Sequence, residues 1–207
     1  MRIKLIDPIN VVEGRVNVSL AKLCNDVLKG NRYKITNTCR RLAIGWISNC
    51  PEMIALSSGE LSGMFGLYEG SEVFAADSIV SAIAQSVHVD LVLVNNSFTR
   101  GGLSINFQPD NFINLLSLPE GHVVYEGGDL HWLSWLLQAG DSMIVANYRY
   151  TPSSGLGRSN KGIMGPGGSF RVPPEYSGTD SNNFIHRALV GQEQVNAINN
   201  LLKDMFL

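Results

Sequence analysis

The spacing of apolar residues changes its period near residue 88, and this change constrains the fold more than any other feature. Before that point, apolar side chains recur every three to four residues, the period of an amphipathic helix. The clearest run comprises Ala76, Ile79, Val80, Ile83, Ala84 and Val87. After it, Leu103, Ile105 and Phe107 alternate with polar residues, as in a half-buried strand. We therefore predict helices first and strands afterwards.

The helical part is predicted to contain two helices over residues 16–29 and 33–49, joined at Gly30-Asn31 and ended by Pro51. The later part is predicted to form a mainly antiparallel sheet of about four strands, followed by a C-terminal helix. The strands are predicted at residues 89–94, 103–107, 122–125 and 143–150. The fold class is thus α+β, and residues 1–207 are predicted to form a single domain.

Residues 152–180 form a segment that is rich in glycine and yet apolar. They hold 7 of the 21 glycines of the chain. They also carry Ile163, Met164, Phe170 and Tyr176, and a plain flexible linker lacks such residues. We predict an extended arm, either a hairpin or an irregular loop, that becomes fully ordered only against a partner subunit.

The charges are distributed unevenly along the chain, although the formal net charge is only −2. Residues 1–50 carry nine basic and three acidic side chains (+6), residues 51–148 one and eleven (−10), and residues 149–207 six and four (+2). Opposite charges on one subunit favour head-to-tail association of identical copies. The alternative is a solvated surface without such a role.

A basic cluster in the predicted helices is a candidate contact for nucleic acid or for an acidic subunit. It comprises Arg32, Lys34, Arg40 and Arg41. Sequence-specific nucleic-acid binding is not expected, because Tyr33 is the one aromatic residue interleaved with these side chains and the pI is about 6.1.

Cysteine usage indicates a protein that is made and kept in a reducing cytoplasm. Cys24, Cys39 and Cys50 are odd in number and widely spaced, with no Cys-x-x-Cys, which predicts reduced thiols. Cys24 and Cys39 fall on apolar faces of the predicted helices, so we expect them to be buried. The N-terminus lacks the pattern of a signal peptide. No stretch approaches the ~20 apolar residues that a membrane-spanning helix needs, so we expect no membrane association.

The motifs that usually accompany catalysis are missing from the sequence. Gly-x-Ser-x-Gly and His-Glu-x-x-His do not occur, and residues 155–162 differ from a phosphate-binding loop in their spacing. The four histidines are scattered along the chain. We therefore predict that the protein is not an enzyme and has neither a metal site nor a cofactor.

Two weaker alternatives involve reactive or metal-binding side chains. The first is a thiol dyad of Cys50 with His131 or His186. The second is a proton or a metal ion shared by Glu126 and Asp129, which flank a Gly-Gly turn, although a solvated turn is the favoured interpretation.

Aromatic and basic residues of the C-terminal half are the candidates for subunit contacts. Trp132 and Trp135 lie three residues apart on a short predicted helix, where core packing is the favoured interpretation and an interface anchor the alternative. Arg158, Lys161 and Arg171 are candidates for pairing with acidic groups of a neighbour, and the alternative is that they only keep the loop solvated. The full set of predicted interface residues is Trp132, Trp135, Arg158, Lys161, Ile163, Met164, Phe170, Arg171, Tyr176, Phe184 and Arg187.

Several of these residues belong to stretches that resemble one family. Residues 130–141 resemble the Trp-Leu-x-Trp-Leu-Leu-x-x-Gly-Asp signature of neck and tail-completion proteins of contractile-tailed bacteriophages. Residues 158–164 are similar to the Arg-Ser…Ala-Ile-Met element of that family. Its closing motif resembles residues 171–179 and 183–188, and a short upstream stretch resembles Pro51-Glu52 with residues 58–61.

The resemblance implies a structural virion protein, of the head–tail joining or tail-terminator type, made in the cytoplasm of the bacterial host. Such proteins form a ring, often a hexamer, that contacts neighbouring neck, connector or tail proteins while DNA passes through the channel. The acidic segment 51–148 suits the channel wall, because it repels phosphates. Two alternatives are a small α+β hydrolase with a mobile lid at 152–180 and a peptide-binding module.

Overall fold

The computed structural model describes residues 7–109, 111–125 and 128–206, and it confirms the α+β fold class. Helices dominate the first half of the chain, and short strands alternate with helices afterwards. The helices are α1 (Ile9–Ser48), α2 (Pro51–Ser57), α3 (Glu60–Met64), α4 (Ser71–Ser86), α5 (Ile113–Leu116), α6 (Leu133–Leu137), α7 (Phe184–Leu189) and α8 (Gln192–Phe206). The strands are β1 (His88–Val92), β2 (Gly102–Asn106), β3 (Val123–Tyr125), β4 (Gly128–Leu130), β5 (Val145–Pro152) and β6 (Gly162–Phe170).

The first 40 helical residues form one continuous helix, so the prediction of two helices joined at Gly30-Asn31 was wrong. A glycine inside a helix costs about 1 kcal/mol relative to alanine. This cost is too small to break α1, because the helix is attached to the subunit both before and after Gly30. The side chain of Asn31 donates to the carbonyl of Val27, 3.0 Å away within the same helix, so it does not cap a helix end at this point. Buried side chains beyond this point, such as Ile35, tie α1 to the rest of the subunit.

The strands form three separate antiparallel hairpins rather than the predicted sheet of about four strands. β1 pairs with β2, β3 with β4, and β5 with β6, and no further pairing joins these sheets among the described residues. Two of the hairpins pack against helices: β1 lies against α1, and both β5 and β6 contact α3. The β3–β4 hairpin packs on the hydrophobic core through Val123 and Leu130. A hairpin alone is marginal in water, so this packing stabilises each one.

The main core lies between α4 and the short helices around it. Trp132, Phe65, Phe112 and Phe184 are the largest side chains in it, and each is at most 2% exposed. Burying an apolar side chain of this kind contributes about 1.5–3 kcal/mol. A second cluster joins the C-terminal part of α1 to β1 and α8, with Ile35 fully buried in it. No helix among the described residues is long and apolar enough to cross a membrane.

Candidate docking surfaces

Residues 152–170 of the glycine-rich segment fold with β5 as a two-stranded ribbon, which we define as residues 145–170: β5, β6 and the residues between them. Residues 171–180, the rest of the predicted arm, lie outside the ribbon. Tyr148 lies opposite Pro166 and Tyr150 opposite Met164, with a bulge between Ala146 and Tyr148. The hairpin alternative for this segment is therefore the one that the structure adopts. The two strands of the ribbon pair with each other and contact the rest of their own subunit. The prediction that this arm becomes ordered only against a partner subunit therefore differs from the structure.

The tip of the ribbon is anchored to the helices by polar contacts. The ammonium group of Lys161 lies 2.7 Å from the hydroxyl of Ser62 and 3.4 Å from the carboxylate of Glu72. Glu72 is only 8% exposed, so this ion pair is shielded from water. Lys161 was predicted to pair with an acidic group of a neighbour, and the structure shows that its acidic partner belongs to its own chain.

Arg158 lies beside this anchor and contacts a different part of the subunit. Its guanidinium group lies over the ring of Tyr68, 5.2 Å from the centroid, in a cation–π arrangement. It also donates to the carbonyl of Val124, 3.4 Å away. These contacts hold the tip against the loop before α4 and against β3.

The position of Tyr150 explains why residue 63 of α3 is a glycine. The Tyr150 hydroxyl sits so close to Gly63 that a Cβ atom there would overlap it, and it donates to the carbonyl of Lys161, 2.8 Å away. Burial raises the pKa of Tyr150, and the nearby carboxylate of Glu60 raises it further. The phenol therefore stays protonated and keeps its role as a donor.

An open pocket of about 640 Å³ lies beneath the ribbon. Because side chains alternate along a strand, Tyr148, Tyr150 and Met164 share the face that lines this pocket. The remaining lining is mostly apolar and includes Phe65 and Leu130. Tyr148 is nevertheless 48% exposed and Met164 40%, because the pocket is open to solvent. At the base of the ribbon, Phe170 is buried and its carbonyl accepts a hydrogen bond from the amide of Ile144. The ribbon thus presents an apolar surface between its anchored tip and its anchored base.

A second apolar surface lies on the N-terminal part of α1. Six apolar side chains fall within roughly 80° of one another around the helix axis. We call them the α1 stripe: Ile9, Val12, Val16, Leu20, Leu23 and Val27. Ile9 is 64% exposed and Leu23 60%. The face that packs on the subunit, marked by Ala21, Leu28 and Ile35, lies roughly 120° away around the axis.

The predicted interface residues divide into buried and surface groups. Trp132, Phe170 and Phe184 lie in the interior, each at most 4% exposed, so their contacts are made within the subunit. Trp132 stacks on Phe65 with ring centroids 4.9 Å apart. Trp132 therefore packs in the core, as the favoured interpretation predicted. The half-buried residues are Trp135, Lys161 and Tyr176, and those at the surface are Arg158, Ile163, Met164, Arg171 and Arg187.

The stretches that resemble the phage family meet in space, although they lie far apart in the sequence. Arg187 of α7 contacts the carboxylate of Glu52 in α2 at 2.5 Å, and Glu52 is 2% exposed. The amide of Gly178 donates to the carbonyl of Trp135, and that of Gly140 to the carbonyl of Gly178. These motifs therefore hold one another in place around the main core.

Asn183 shows what the closing motif does locally. Its side chain is fully buried and accepts hydrogen bonds from the amides of Ile185 and His186, at 3.1 and 3.2 Å. It thereby caps the N-terminus of α7. The cap orients α7 so that Phe184 enters the core and Arg187 reaches Glu52.

The surroundings of Cys50, His131 and His186 do not favour the proposed thiol dyad. Burial raises the pKa of Cys50 to about 12, and the nearby carboxylate of Glu52 adds to this effect. A nucleophilic cysteine requires the opposite shift. His186 lies 3.1 Å from the side-chain oxygen of Asn183, and His131 pairs with Asp129.

Two residues of the basic cluster are engaged within the subunit. Arg32 donates to the carbonyl of Val89 at 2.9 Å, and Arg40 to that of Val87 at 3.4 Å. These bonds attach α1 to β1 and to the residue before it. They give the cluster a structural role that sequence reasoning missed, since the partners are 57 and 47 residues away.

No protein-family model matches the chain, and neither does any curated protein or solved structure.

The structure brings together one group of side chains that the sequence pattern had left apart. His122, Asp129 and His131 converge on the β3–β4 hairpin. The alternative pairing of Asp129 with Glu126 involves a residue outside the described ranges. The predicted absence of a metal site rested on the scattering of histidines along the chain, and the register of β3 with β4 brings two of them together.

Proposed function

We propose that the chain is a structural virion protein of a contractile-tailed bacteriophage and acts in the neck as part of a head–tail connector, tail-completion or tail-terminator ring. It works through subunit–subunit contacts and is made in the cytoplasm of the bacterial host. The observation that carries this proposal is the ribbon, which is anchored at both ends and open above an apolar pocket between them. The motifs that resemble the phage family support the choice of assembly.

The pocket beneath the ribbon has the composition of a protein-binding surface. Tyrosine and methionine are enriched at interfaces, because they combine a large apolar area with adaptable packing. Tyr148 and Met164 expose that area at the mouth of the pocket, and Arg158 contributes a positive charge at its edge. We propose that a neighbouring subunit inserts apolar side chains here.

The α1 stripe supplies the second surface that a ring needs. In a closed ring, each subunit contacts its two neighbours through two different patches. A solvated helix of about 12 residues is marginal on its own, so residues 9–20 gain stability when another subunit covers their apolar side. We propose that the stripe and the ribbon pocket are these two patches, with six copies in the ring.

The charge distribution fits the same arrangement. The basic N-terminal segment, at +6, carries the α1 stripe, whereas the acidic segment 51–148, at −10, contributes the floor of the pocket. The opposite signs of these two segments favour head-to-tail contact between neighbouring copies, whereas the two patches themselves pair through apolar side chains. Acidic residues left facing the channel repel the phosphate backbone, so DNA passes without binding.

The test is the mass of the protein in solution, measured by light scattering alone and with purified phage tails. We expect a closed ring, or a monomer that joins tail ends. Tyr148→Glu with Met164→Glu should abolish assembly through the ribbon, and Leu20→Glu with Leu23→Glu should abolish it through the stripe. Ile113→Glu is the matched control, because Ile113 is 65% exposed and lies outside both surfaces.

Other outcomes separate the proposal from its rivals. A monomer that persists at high concentration and ignores tails contradicts the neck role. If that monomer binds apolar peptides in the ribbon pocket, the peptide-binding module replaces it. The hydrolase with a lid at 152–180 is disfavoured by the anchored tip and by the raised pKa of Cys50, and only a measured activity would restore it.

A further inference from the structure

The β3–β4 hairpin carries metal-binding side chains on its outer face. Val123 lies opposite Leu130, and Val124 lies opposite Asp129. Val123 and Leu130 pack toward the core, so the alternation of strand side chains turns Asp129 to the other face. His122 and His131 flank the Val123–Leu130 pair, and the same alternation places them beside Asp129.

The three side chains approach one another closely. One carboxylate oxygen of Asp129 lies 2.8 Å from Nδ1 of His122, and the other lies 3.4 Å from Nε2 of His131. The two imidazole rings are stacked, with centroids 5.0 Å apart and planes inclined by 9°. All three ligand atoms lie within 4.8 Å of one another. Across the described ranges of the chain, no second group of three such residues converges in this way.

We propose that His122, Asp129 and His131 bind a zinc ion. Two imidazole nitrogens and one carboxylate oxygen form a ligand set that Zn²⁺ favours, and three protein ligands leave one position for water or for a group of a neighbour. Two ligand atoms on one tetrahedral zinc lie about 3.3 Å apart. The separations from Asp129 are already close to this value, and the two imidazoles need only small rotations.

The exposure of the three side chains suits an ion that enters from solvent. They are 30%, 39% and 61% exposed for His122, Asp129 and His131, so they rotate without disturbing the core. A hairpin whose two strands have three residues each is marginal by itself. An ion that joins both strands stabilises it. The inner face of this hairpin lines the ribbon pocket through Tyr125 and Leu130, so the ion also stiffens a wall of that pocket. The zinc site does not depend on the proposed neck role.

The test is a titration of the untagged full chain with Zn²⁺ in chelator-free buffer, followed by calorimetry. Cys24→Ser serves as the background, because this half-buried thiol is a competing ligand. We expect one ion per chain, and we expect His131→Ala or Asp129→Asn to weaken binding by more than about tenfold. His88→Ala is the matched control: His88 forms a two-group pair with Asp90 at 3.5 Å and should not contribute.

Two results would overturn the zinc site. One is binding that is equal in the background protein and in the triple variant lacking all three side chains. The other is a loss in His88→Ala as large as that in His131→Ala, which would indicate nonspecific binding to surface histidines. X-ray absorption at the zinc edge of the background protein tests the ligands without mutating them: a shell of nitrogen and oxygen supports the site, and a sulfur neighbour contradicts it.

Discussion

The two halves of α1 follow the same helical geometry, yet their surroundings differ. In residues 28–48, the side chains of Leu28, Ile35, Cys39, Ala43 and Ile47 are buried against β1, α4 and α8. In residues 9–27, Ala21 alone is buried, and four of the six residues of the α1 stripe are exposed, whereas Val12 and Val27 are half-buried. An apolar period thus predicts the helix in both halves, but it does not show whether the apolar face is covered.

Thiol reactivity gives the largest expected difference between the halves. Cys24, which was predicted to be buried, is only half-buried in the first half. Burial raises the pKa of Cys39 in the second half. It raises the pKa of Cys50, just beyond the helix, to about 12. Only the thiolate reacts, so at pH 8 about 1 in 10⁴ Cys50 thiols is competent. We expect Ellman's reagent to label one thiol of the native protein quickly. Equal rates for all three thiols would contradict the packing, and Cys24→Ser should remove the fast phase.

Truncation of one apolar residue in each half tests the comparison energetically. Ile35→Ala removes a fully buried side chain and should lower the free energy of unfolding by about 2–5 kcal/mol. Leu23→Ala removes an exposed one and should change it by less than about 0.5 kcal/mol in the monomer. Urea denaturation followed by circular dichroism measures both. Similar losses would mean that the first half is packed as tightly as the second.

Asn25 marks the point where α1 first joins the body of the subunit by hydrogen bonds. Its side chain donates to the carbonyl of Val94 at 3.0 Å and accepts from the amide of Val94 at 2.8 Å. Asn25→Ala leaves both backbone groups without this partner and should cost about 1–2 kcal/mol in urea denaturation. Asn31→Ala is the control, because Asn31 bonds only within the helix. Equal losses of stability in Asn25→Ala and Asn31→Ala would mean that α1 first joins the body of the subunit at another residue.

Glycine-to-alanine substitutions give the smallest effect and the sharpest test of continuity. An added Cβ at Gly30 or at Gly14 meets no atom within 4 Å. Gly30→Ala should raise the free energy of unfolding by about 0.5–1 kcal/mol, because the helix runs through this residue into the packed half. Gly14→Ala should raise helicity with little change in the free energy of unfolding. A destabilised Gly30→Ala protein would restore the predicted break.

Elements with a strong local period could be predicted from the sequence. The run from Ala76 to Val87 predicted a helix, and α4 ends at Ser86. The expected strand at 143–150 corresponds to β5. β6 was expected only in the hairpin alternative, because four glycines and Pro166 give it low strand propensity, and pairing with β5 imposes its conformation. Local propensity thus decided the elements, except where a neighbouring strand outweighed it.

The candidate surfaces were only partly predictable. The glycine-rich segment was identified as the arm because Ile163 and Met164 stood among glycines, but the acidic partner of Lys161 lies 89 residues away. The grouping of His122 with His131 likewise depends on how β3 meets β4. Contacts between such distant residues leave no periodic pattern in the sequence.

The sequence by itself determined the α+β class, the amphipathic helices and the location of the glycine-rich segment, because these depend on the period and type of neighbouring residues. Only the tertiary structure decided which apolar faces are covered, which acidic residue meets Lys161 and which histidines share a face. Those outcomes depend on strand register and on the packing of distant elements, and both are properties of the whole chain.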